Sequence, residues 1–235
     1  MNTITLQKRP ADERGHTDIS WLDSWHTFSF GDYVDREHHA FRVLRVINDD
    51  RVLPGHGFPE HPHRDMEILT YVISGELTHR DSMGHTRTVG AGQVQYMSAG
   101  TGVTHSEFNA SATVPVHLLQ IWIIPRARGL KPDYREWSAP QKPSGPLALI
   151  ASPDGREGSL PIRQDAQMLV GELKAGESVT HATRAERGVW LQVISGDLGV
   201  GAEGLRAGDG LAIEGATAVG IAAKSAARFL LFDLP

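Results

Sequence analysis

The sequence predicts an all-β protein made of two tandem copies of one β domain. Its apolar runs are short and often alternate with polar residues, as in residues 42–47 and 70–73, which is the period-2 pattern of strands. The 25 glycines and 13 prolines fall at short intervals between these runs, as turn residues do in antiparallel sandwiches and barrels. A segment recurs after 121 residues, and a repeat of that length indicates a duplicated domain.

The repeat aligns the strands of the two halves. Residues 72–77 (VISGEL) recur as residues 193–198 (VISGDL), and each half closes on an apolar strand, at residues 117–122 and 228–233. Prolines interrupt the polar stretch between the halves, which is typical of a linker. We therefore predict a first domain at residues 1–125, a linker at 126–144 and a second domain at 145–235.

Composition and motifs exclude several functional classes. The formal net charge is −5 and no basic run is present, so we expect no nucleic-acid partner. The chain has no cysteine, which excludes disulfides and thiolate chemistry. No apolar run approaches the ~20 residues needed to span a bilayer and no signal peptide is visible, so we expect a cytoplasmic protein. The sequence also lacks the G-x-S-x-G, P-loop and His-Glu-x-x-His motifs.

Two ligand pairs point to a metal site. His61 and His63 stand at i and i+2, and so do His105 and Glu107 some forty residues later. On a strand this spacing turns both side chains of a pair toward the same face. Together they offer three imidazoles and one carboxylate to a divalent transition metal. The alternative is that these are surface histidines, but such a convergence is costly without a cation.

The repeat assigns this chemistry to the first domain alone. At the matching positions the second half carries no ligand set, and only His181 lies nearby, one position out of register. The counterparts of the four candidate ligands are Ala182, Arg184, Ile221 and Ala223. A single metal site in the first domain is therefore expected.

Three separated motifs resemble known families. Residues 55–63, with Glu67 and Gly75, resemble the first cupin motif, and residues 92–109 resemble the second. Two positions depart from the cupin pattern, since Gly100 stands where proline is common and Gly75 comes one residue late. More specifically, residues 23–30 (DSWHTFSF), the His-Pro-His segment and residues 98–107 look like the pirin family. This resemblance covers nearly the whole chain and implies two tandem cupin domains, jelly-roll barrels or sandwiches, the second without metal.

The resemblance also bears on the ligands. Most cupins use the glutamate of the first motif, here Glu67, whereas pirins use the one two residues after the last histidine, here Glu107. We predict Glu107 as the ligand because it shares a strand face with His105, and Glu67 as an acid that supports the ligands or the structure. Similarity to the family implies Fe(II); nitrogen and oxygen donors also suit Mn, Co, Ni, Cu or Zn.

Similarity to pirins and quercetinase cupins implies a flavonol 2,3-dioxygenase. A small phenolic substrate would bind the metal through its 3-hydroxyl, Glu107 would take the proton as general base, and dioxygen would open the ring with loss of carbon monoxide. One alternative is a non-enzymatic, metal- or redox-dependent regulatory partner protein. Another is metal-assisted isomerisation or hydrolysis, because a fold does not fix a function. We expect a monomer, since the second domain can supply the contacts that single-domain cupins obtain by dimerising.

The remaining histidines and the aromatic residues are assigned more modest roles. We predict solvated side chains for four histidines in polar, turn-like sequence: His38, His39, His79 and His85. His56 is expected at the surface, while His26 either lines the site or packs at the domain edge. Four aromatic residues near the N-terminus are predicted to fill the core: Trp21, Trp25, Phe28 and Phe30.

Overall fold

The computed structural model describes residues 3–139 and 145–235, which form two β units. The N-terminal unit comprises Gly15–Ala139 and Ile162–Gln164, and the C-terminal unit comprises the rest of the described chain. Within these ranges the only helical segments are two short 3₁₀ turns, Ala11–Glu13 and Arg156–Gly158, so the all-β prediction is confirmed. No helix of the described chain has the length and apolar character needed to cross a membrane.

The strands are short and follow one another through tight turns. Those of the first half are β1 (Thr5–Arg9), β2 (Gly15–Ile19), β3 (Leu22–His26), β4 (Leu44–Val52), β5 (Gly57–His63), β6 (Glu67–Ser74), β7 (Glu76–Asp81), β8 (Thr86–Gly90), β9 (Gln93–Ser98), β10 (Val103–Phe108), β11 (Val116–Ile123) and β12 (Asp133–Ser138). Those of the second half are β13 (Leu147–Ser152), β14 (Leu160–Pro161), β15 (Gln167–Leu173), β16 (Ser178–Ala182), β17 (Gly188–Ser195), β18 (Leu198–Val200), β19 (Glu203–Leu205), β20 (Gly210–Glu214), β21 (Ala218–Ala223) and β22 (Ala227–Leu234).

Each unit contains a seven-stranded and a four-stranded sheet. In the N-terminal unit the strand orders are β12-β9-β6-β11-β4-β3-β2 and β5-β10-β7-β8. In the C-terminal unit they are β1-β20-β17-β22-β15-β13-β14 and β16-β21-β18-β19. The two sheets of a unit pack their apolar faces together: Val72 and Leu118 of one sheet share a buried cluster with Leu77 and Val89 of the other.

The predicted duplication is present in the fold. Strand β17 begins and ends 121 residues after β6, and the central order β9-β6-β11-β4 recurs as β20-β17-β22-β15. The turns after β6 and β17 use Gly75 and Gly196, each with a φ of 77°. A Cβ atom at either position would collide with a facing backbone, near Pro115 or Ala226. Both copies therefore require glycine at this turn.

Two segments lie elsewhere than the predicted domain limits. Strand β1 pairs with β20, so the start of the chain belongs to the C-terminal unit. Strand β12 falls within the predicted linker 126–144, yet it pairs with β9 at the edge of the N-terminal unit, with Trp137 buried. In both cases the edge of a sheet offers unpaired backbone groups that a short strand satisfies. Residues 140–144 of that linker lie outside the described residues.

One row of cross-strand neighbours distinguishes the two units. In the N-terminal unit it crosses β9, β6, β11 and β4 as Gln95, Thr70, Gln120 and Asn48. In the C-terminal unit the equivalent row across β20, β17, β22 and β15 is Leu211, Leu191, Leu231 and Leu169. The four leucines belong to one apolar cluster, whereas the N-terminal unit has buried hydrogen-bonding groups at the same places.

Candidate metal centre

Three imidazoles converge on the four-stranded sheet of the N-terminal unit. His61 and His63 lie on β5 and His105 lies on the adjacent antiparallel strand β10, directly opposite His61. The ring centroids are 4.5 Å apart for His61 and His105, 4.8 Å for His61 and His63, and 4.9 Å for His63 and His105. One ring nitrogen from each lies within 4.8 Å of the others. The structure thus brings together the three histidines that the sequence selected.

Close contact between β5 and β10 makes this convergence possible. A Cβ atom at Gly57 would overlap the backbone of Glu107 and Phe108, so a larger residue there would separate the two strands. The register shifts between His105 and Glu107, so that Glu107 faces Phe58 on β5. A local irregularity of this kind re-aims side chains next to a site.

Hydrogen bonds indicate which nitrogen of the His61 and His105 rings carries the proton. The Nδ1–H of His61 donates to the Pro59 carbonyl oxygen at 2.7 Å, which leaves Nε2 as the acceptor. The Nε2–H of His79 donates to Asp81 Oδ2 at 3.0 Å, so His79 Nδ1 accepts from His105 Nδ1–H at 3.4 Å. The network therefore assigns the free lone pair of His105 to Nε2 as well.

These two lone pairs point to a cation. The Nε2 atoms of His61 and His105 are 3.1 Å apart, and in this tautomer assignment neither has a proton to donate to the other. When two nitrogens bind the same transition-metal ion at about 2.1 Å and the N–metal–N angle is near 90°, the nitrogens are about 3 Å apart. The residues present therefore fit a divalent metal, which would replace the repulsion between the lone pairs with two coordinate bonds.

His79 contradicts its predicted role as a solvated histidine. Its side chain is fully buried, it faces Glu107 across the β10–β7 pair, and its ring stacks on Tyr134 with centroids 4.7 Å apart. The sequence signal was its i, i+2 spacing from Asp81, which places both on the face of β7 turned toward β10. His79 holds His105 in the tautomer whose Nε2 is free, which is the role that hydrogen-bonded partners of metal ligands generally have.

Asp81 anchors this chain of hydrogen bonds. Burial acts to raise its pKa, but hydrogen bonds from His79 and His85 outweigh burial and lower the pKa. His85 is itself partly exposed and donates to Asp81 at 2.9 Å. The carboxylate therefore stays ionised at neutral pH.

Burial also keeps two of the candidate ligands neutral. Desolvation, reinforced by the neighbouring histidines, lowers the pKa of His63 to about 4 and that of His105 to about 3. Because a metal binds the unprotonated ring, protons do not compete at neutral pH.

Glu107 is buried beside the histidines and well supplied with donors. Its carboxylate accepts from Gln120 Nε2 at 2.8 Å, from Thr70 Oγ1 at 3.3 Å and from Gln95 Nε2. Burial raises the pKa of Glu107. One carboxylate oxygen of Glu107 lies within 4.8 Å of ring nitrogens of His79 and His105. This cluster shares His105 with the three-histidine cluster. Joint coordination of one ion by all four predicted ligands stays a prediction.

Glu67 has a structural environment. It lies three residues before Thr70 on β6, with no register shift between them along β9, so the two side chains point to opposite faces of the sheet. Its carboxylate accepts from Tyr96 Oη at 2.5 Å, Ser98 Oγ at 2.6 Å and the Arg163 N–H at 2.8 Å. Glu67 ties β6 and β9 to residues 162–164, away from the site.

A cavity of about 280 Å³ opens beside the candidate metal centre. Its lining combines aromatic residues with hydrogen-bonding ones; those with clear chemical roles are Ser24, His26, Phe30, Tyr33, Asn48, Asp50, Phe58, His61, His63, Glu107, Gln120 and Trp122. His26 thus lines the site, and Phe30 does so as well, contrary to its predicted core role. His56, by contrast, is exposed. Within the described ranges, the Trp122 indole N–H has no hydrogen-bond partner.

The remaining predictions for this region are met in part. His39 is exposed, whereas His38 is half-buried and hydrogen-bonded to Asp35 at 3.0 Å. Phe28 is buried in the core, while Trp21 and Trp25 are only partly buried. In the C-terminal unit, His181 donates to Asp233 at 2.8 Å. Among residues 145–235 no cluster of three ligand side chains is found.

Comparisons with known proteins identify the family of this chain. The profile of the family described as Pirin matches residues 7–123, and that of the quercetinase C-terminal cupin domain matches residues 149–234. A quercetin 2,3-dioxygenase of Escherichia coli (strain K12) is 48% identical over 229 residues, which cover 97% of each chain. A pirin-like protein of Caulobacter vibrioides is 39% identical, over 97% of this chain and 99% of its own.

A solved structure extends the similarity to the fold. The crystal structure of the bacterial pirin YhhW from Escherichia coli in complex with nickel(II) superposes with a TM-score of 0.93 at 47% identity. The match covers 98% of this chain and 99% of that one. The two domain profiles, the full-length relatives and the shared fold show that this chain belongs to the pirin family.

Proposed function

We propose that this chain is a metal-dependent dioxygenase that opens a flavonol such as quercetin at the 2,3 position. The observation that carries the proposal is the pair of facing Nε2 lone pairs of His61 and His105, 3.1 Å apart at the edge of an aromatic-lined cavity. Two relatives named quercetin 2,3-dioxygenase, each matched over 97% of its length, support the same reaction.

In this proposal His61, His63, His105 and Glu107 hold one metal ion, and Fe(II) is the native metal. A divalent ion supplies a Lewis acid for the substrate's 3-hydroxyl and a route for electrons to dioxygen. Three neutral imidazoles and one carboxylate leave it a net charge of about +1, which favours an anionic oxygen as a further ligand.

The chain's own residues account for binding and proton transfer. Glu107 receives the 3-hydroxyl proton, because its carboxylate groups with His105 and lines the same cavity as His61 and His63. Gln120 and Thr70 hold that carboxylate in a fixed orientation. Phe30, Phe58 and Trp122 offer flat apolar surfaces to the planar rings of a flavonol. Dioxygen then adds across the heterocycle, which opens with loss of carbon monoxide.

The test is turnover by protein loaded with one metal at a time. With Fe(II) and air we expect quercetin to disappear from the absorbance spectrum while oxygen is consumed and carbon monoxide is released in equal amounts. His105→Ala should lose the activity and His56→Ala, an exposed histidine outside the cavity lining, should keep it. No quercetin consumption with any of Fe, Mn, Co, Ni, Cu or Zn would refute the reaction, and full activity in His105→Ala would refute the site.

Two further features stay predictions from the sequence: a monomeric state and a cytoplasmic location. Size-exclusion chromatography with light scattering and cell fractionation would test them.

A further inference from the structure

The cavity has a second polar group that the proposed metal chemistry does not use. Ser24, His26, Asn48 and Asp50 line the same cavity as the candidate ligands, but they lie on β3 and β4 of the seven-stranded sheet. All four are almost completely buried, with 2–3% of their surface exposed. Buried polar side chains at a cavity wall are expected to have partners.

Strand register gives their position relative to the metal centre. Gln120, which holds Glu107, faces Asn48, and Asp50 follows two residues later on the same face of β4. With a spacing of about 4.8 Å between strands and about 3.4 Å per residue, the Cα atoms of Gln120 and Asp50 are roughly 8 Å apart. A planar ligand that reaches the metal centre can therefore also reach Asp50.

The hydrogen bonds of this group leave the Asp50 carboxylate with few donors. His26 Nδ1 and Asn48 Oδ1 are 2.9 Å apart, and Thr17 Oγ1 is 2.9 Å from His26 Nε2, so these side chains are hydrogen-bonded to one another and not to Asp50. Ser24 Oγ donates to Asp50 Oδ1, and this is the one side-chain hydrogen bond that Asp50 makes within residues 3–139 and 145–235. A carboxylate has about four acceptor positions, so Asp50 retains capacity for a ligand.

A buried carboxyl with one partner destabilises the fold. Desolvation raises the pKa of Asp50 to about 7, against the lowering effect of the Ser24 hydrogen bond. Groups of this kind, placed in a cleft and strongly perturbed by burial, are candidates for function. At the equivalent position of the C-terminal unit stands Gly171, against the ring of Phe229, so the fold itself does not need an acid there.

We propose that Asp50, oriented by Ser24, is a second anchor that accepts a hydrogen bond from a phenolic hydroxyl on the part of the substrate remote from the metal. This rests on the proposed function, in which the 3-hydroxyl lies at the metal. The anchor would select polyhydroxylated flavonols over flavonols whose outer rings carry no hydroxyl. Because a hydrogen bond to a charged group is stronger than a neutral one, the preference should depend on the Asp50 carboxylate.

The experiment compares two ligands on metal-loaded protein without oxygen. Quercetin carries outer hydroxyls, whereas 3-hydroxyflavone has only the 3-hydroxyl, and quenching of tryptophan fluorescence gives the Kd of each. In Asp50→Asn we expect quercetin to bind about 10- to 100-fold more weakly and 3-hydroxyflavone to change less than about twofold. Ser24→Ala should shift the same ratio in the same direction but less.

The control is Asp18→Asn, which removes an exposed carboxylate on β2, outside the cavity lining. It should leave both Kd values unchanged. An equal loss for both ligands, or unchanged quercetin binding, in Asp50→Asn would overturn the anchor. If wild-type protein binds quercetin more tightly than 3-hydroxyflavone but shows no turnover in air, the proposed reaction is overturned and the anchor is upheld. If it binds neither ligand, the reaction and the anchor are both overturned.

Discussion

Asp50→Asn is expected to stabilise the metal-free protein, and increasingly so as the pH rises from 5 to 8. The Asp50 side chain is 3% exposed, and burial raises its pKa from 3.8 to about 7. In the unfolded chain the carboxyl titrates at its ordinary pKa. Between these two pKa values the unfolded state releases a proton that the folded state retains. Unfolding therefore becomes more favourable as the pH rises through this window.

The magnitude follows from the two pKa values. A tenfold difference in proton affinity is worth about 1.4 kcal/mol, so a pKa of about 7 instead of 3.8 amounts to roughly 4 kcal/mol once the pH exceeds 7. Roughly 3 kcal/mol of this falls between pH 5 and pH 8. An asparagine at this position keeps an oxygen that can accept a hydrogen bond from Ser24. Because asparagine does not ionise, the variant does not lose this folding free energy as the pH rises.

Urea unfolding followed by tryptophan fluorescence, with a chelator present throughout, measures the effect. Four of the five tryptophans lie in residues 15–139, so the signal reports chiefly on the N-terminal unit. Asp18→Asn, an exposed acid on β2, is the control and should change little between the two pH values. If the difference between Asp50→Asn and wild type stays constant from pH 5 to pH 8, at equal m-values, the argument from burial is refuted.

Three further substitutions test the site and the core. His79→Phe keeps the ring against Tyr134 but removes the acceptor for His105, so it should weaken metal binding roughly 10- to 100-fold, as measured in competition with a chelator. The control is His117→Phe, which removes another histidine paired with an aspartate and should leave metal affinity unchanged. Unchanged affinity in His79→Phe would contradict the tautomer assignment. Glu67→Gln should retain one metal ion per chain by elemental analysis and lose roughly 1–3 kcal/mol of unfolding free energy. Loss of the metal would instead indicate that Glu67 is a ligand. Leu231→Ala should cost about 2–5 kcal/mol in urea unfolding with metal content unchanged, and a loss below 1 kcal/mol would contradict its core position.

The fold was largely predictable because its evidence is local. Alternation of apolar and polar residues identifies strands, and a glycine such as Gly75 or Gly196 marks a turn that only glycine can make. The 121-residue repeat gave the duplication. Edge strands were not predictable, since nothing local in residues 5–9 or 133–138 says which sheet edge they join.

The candidate site likewise has residues that local spacing predicts and residues that it does not. Spacing at i and i+2 selected His61, His63 and His105, which the structure brings together. The same spacing links His79 to Asp81 but did not distinguish His79 from a solvated histidine, and no spacing marked Asp50. Both look like ordinary polar residues of a strand until strand pairing shows what lies opposite them.

The sequence by itself determined the all-β class, the duplication, the three histidines that converge in the structure and the absence of a matching ligand set in the second half, because each depends on spacing along the chain. Tertiary structure alone decided which ring nitrogen of His61 and of His105 is free and that Glu67 points away from the site. It also decided that Thr70, Gln95 and Gln120 surround Glu107 where the other unit has leucines. These features depend on register between strands far apart in sequence, and register sets which side chains meet.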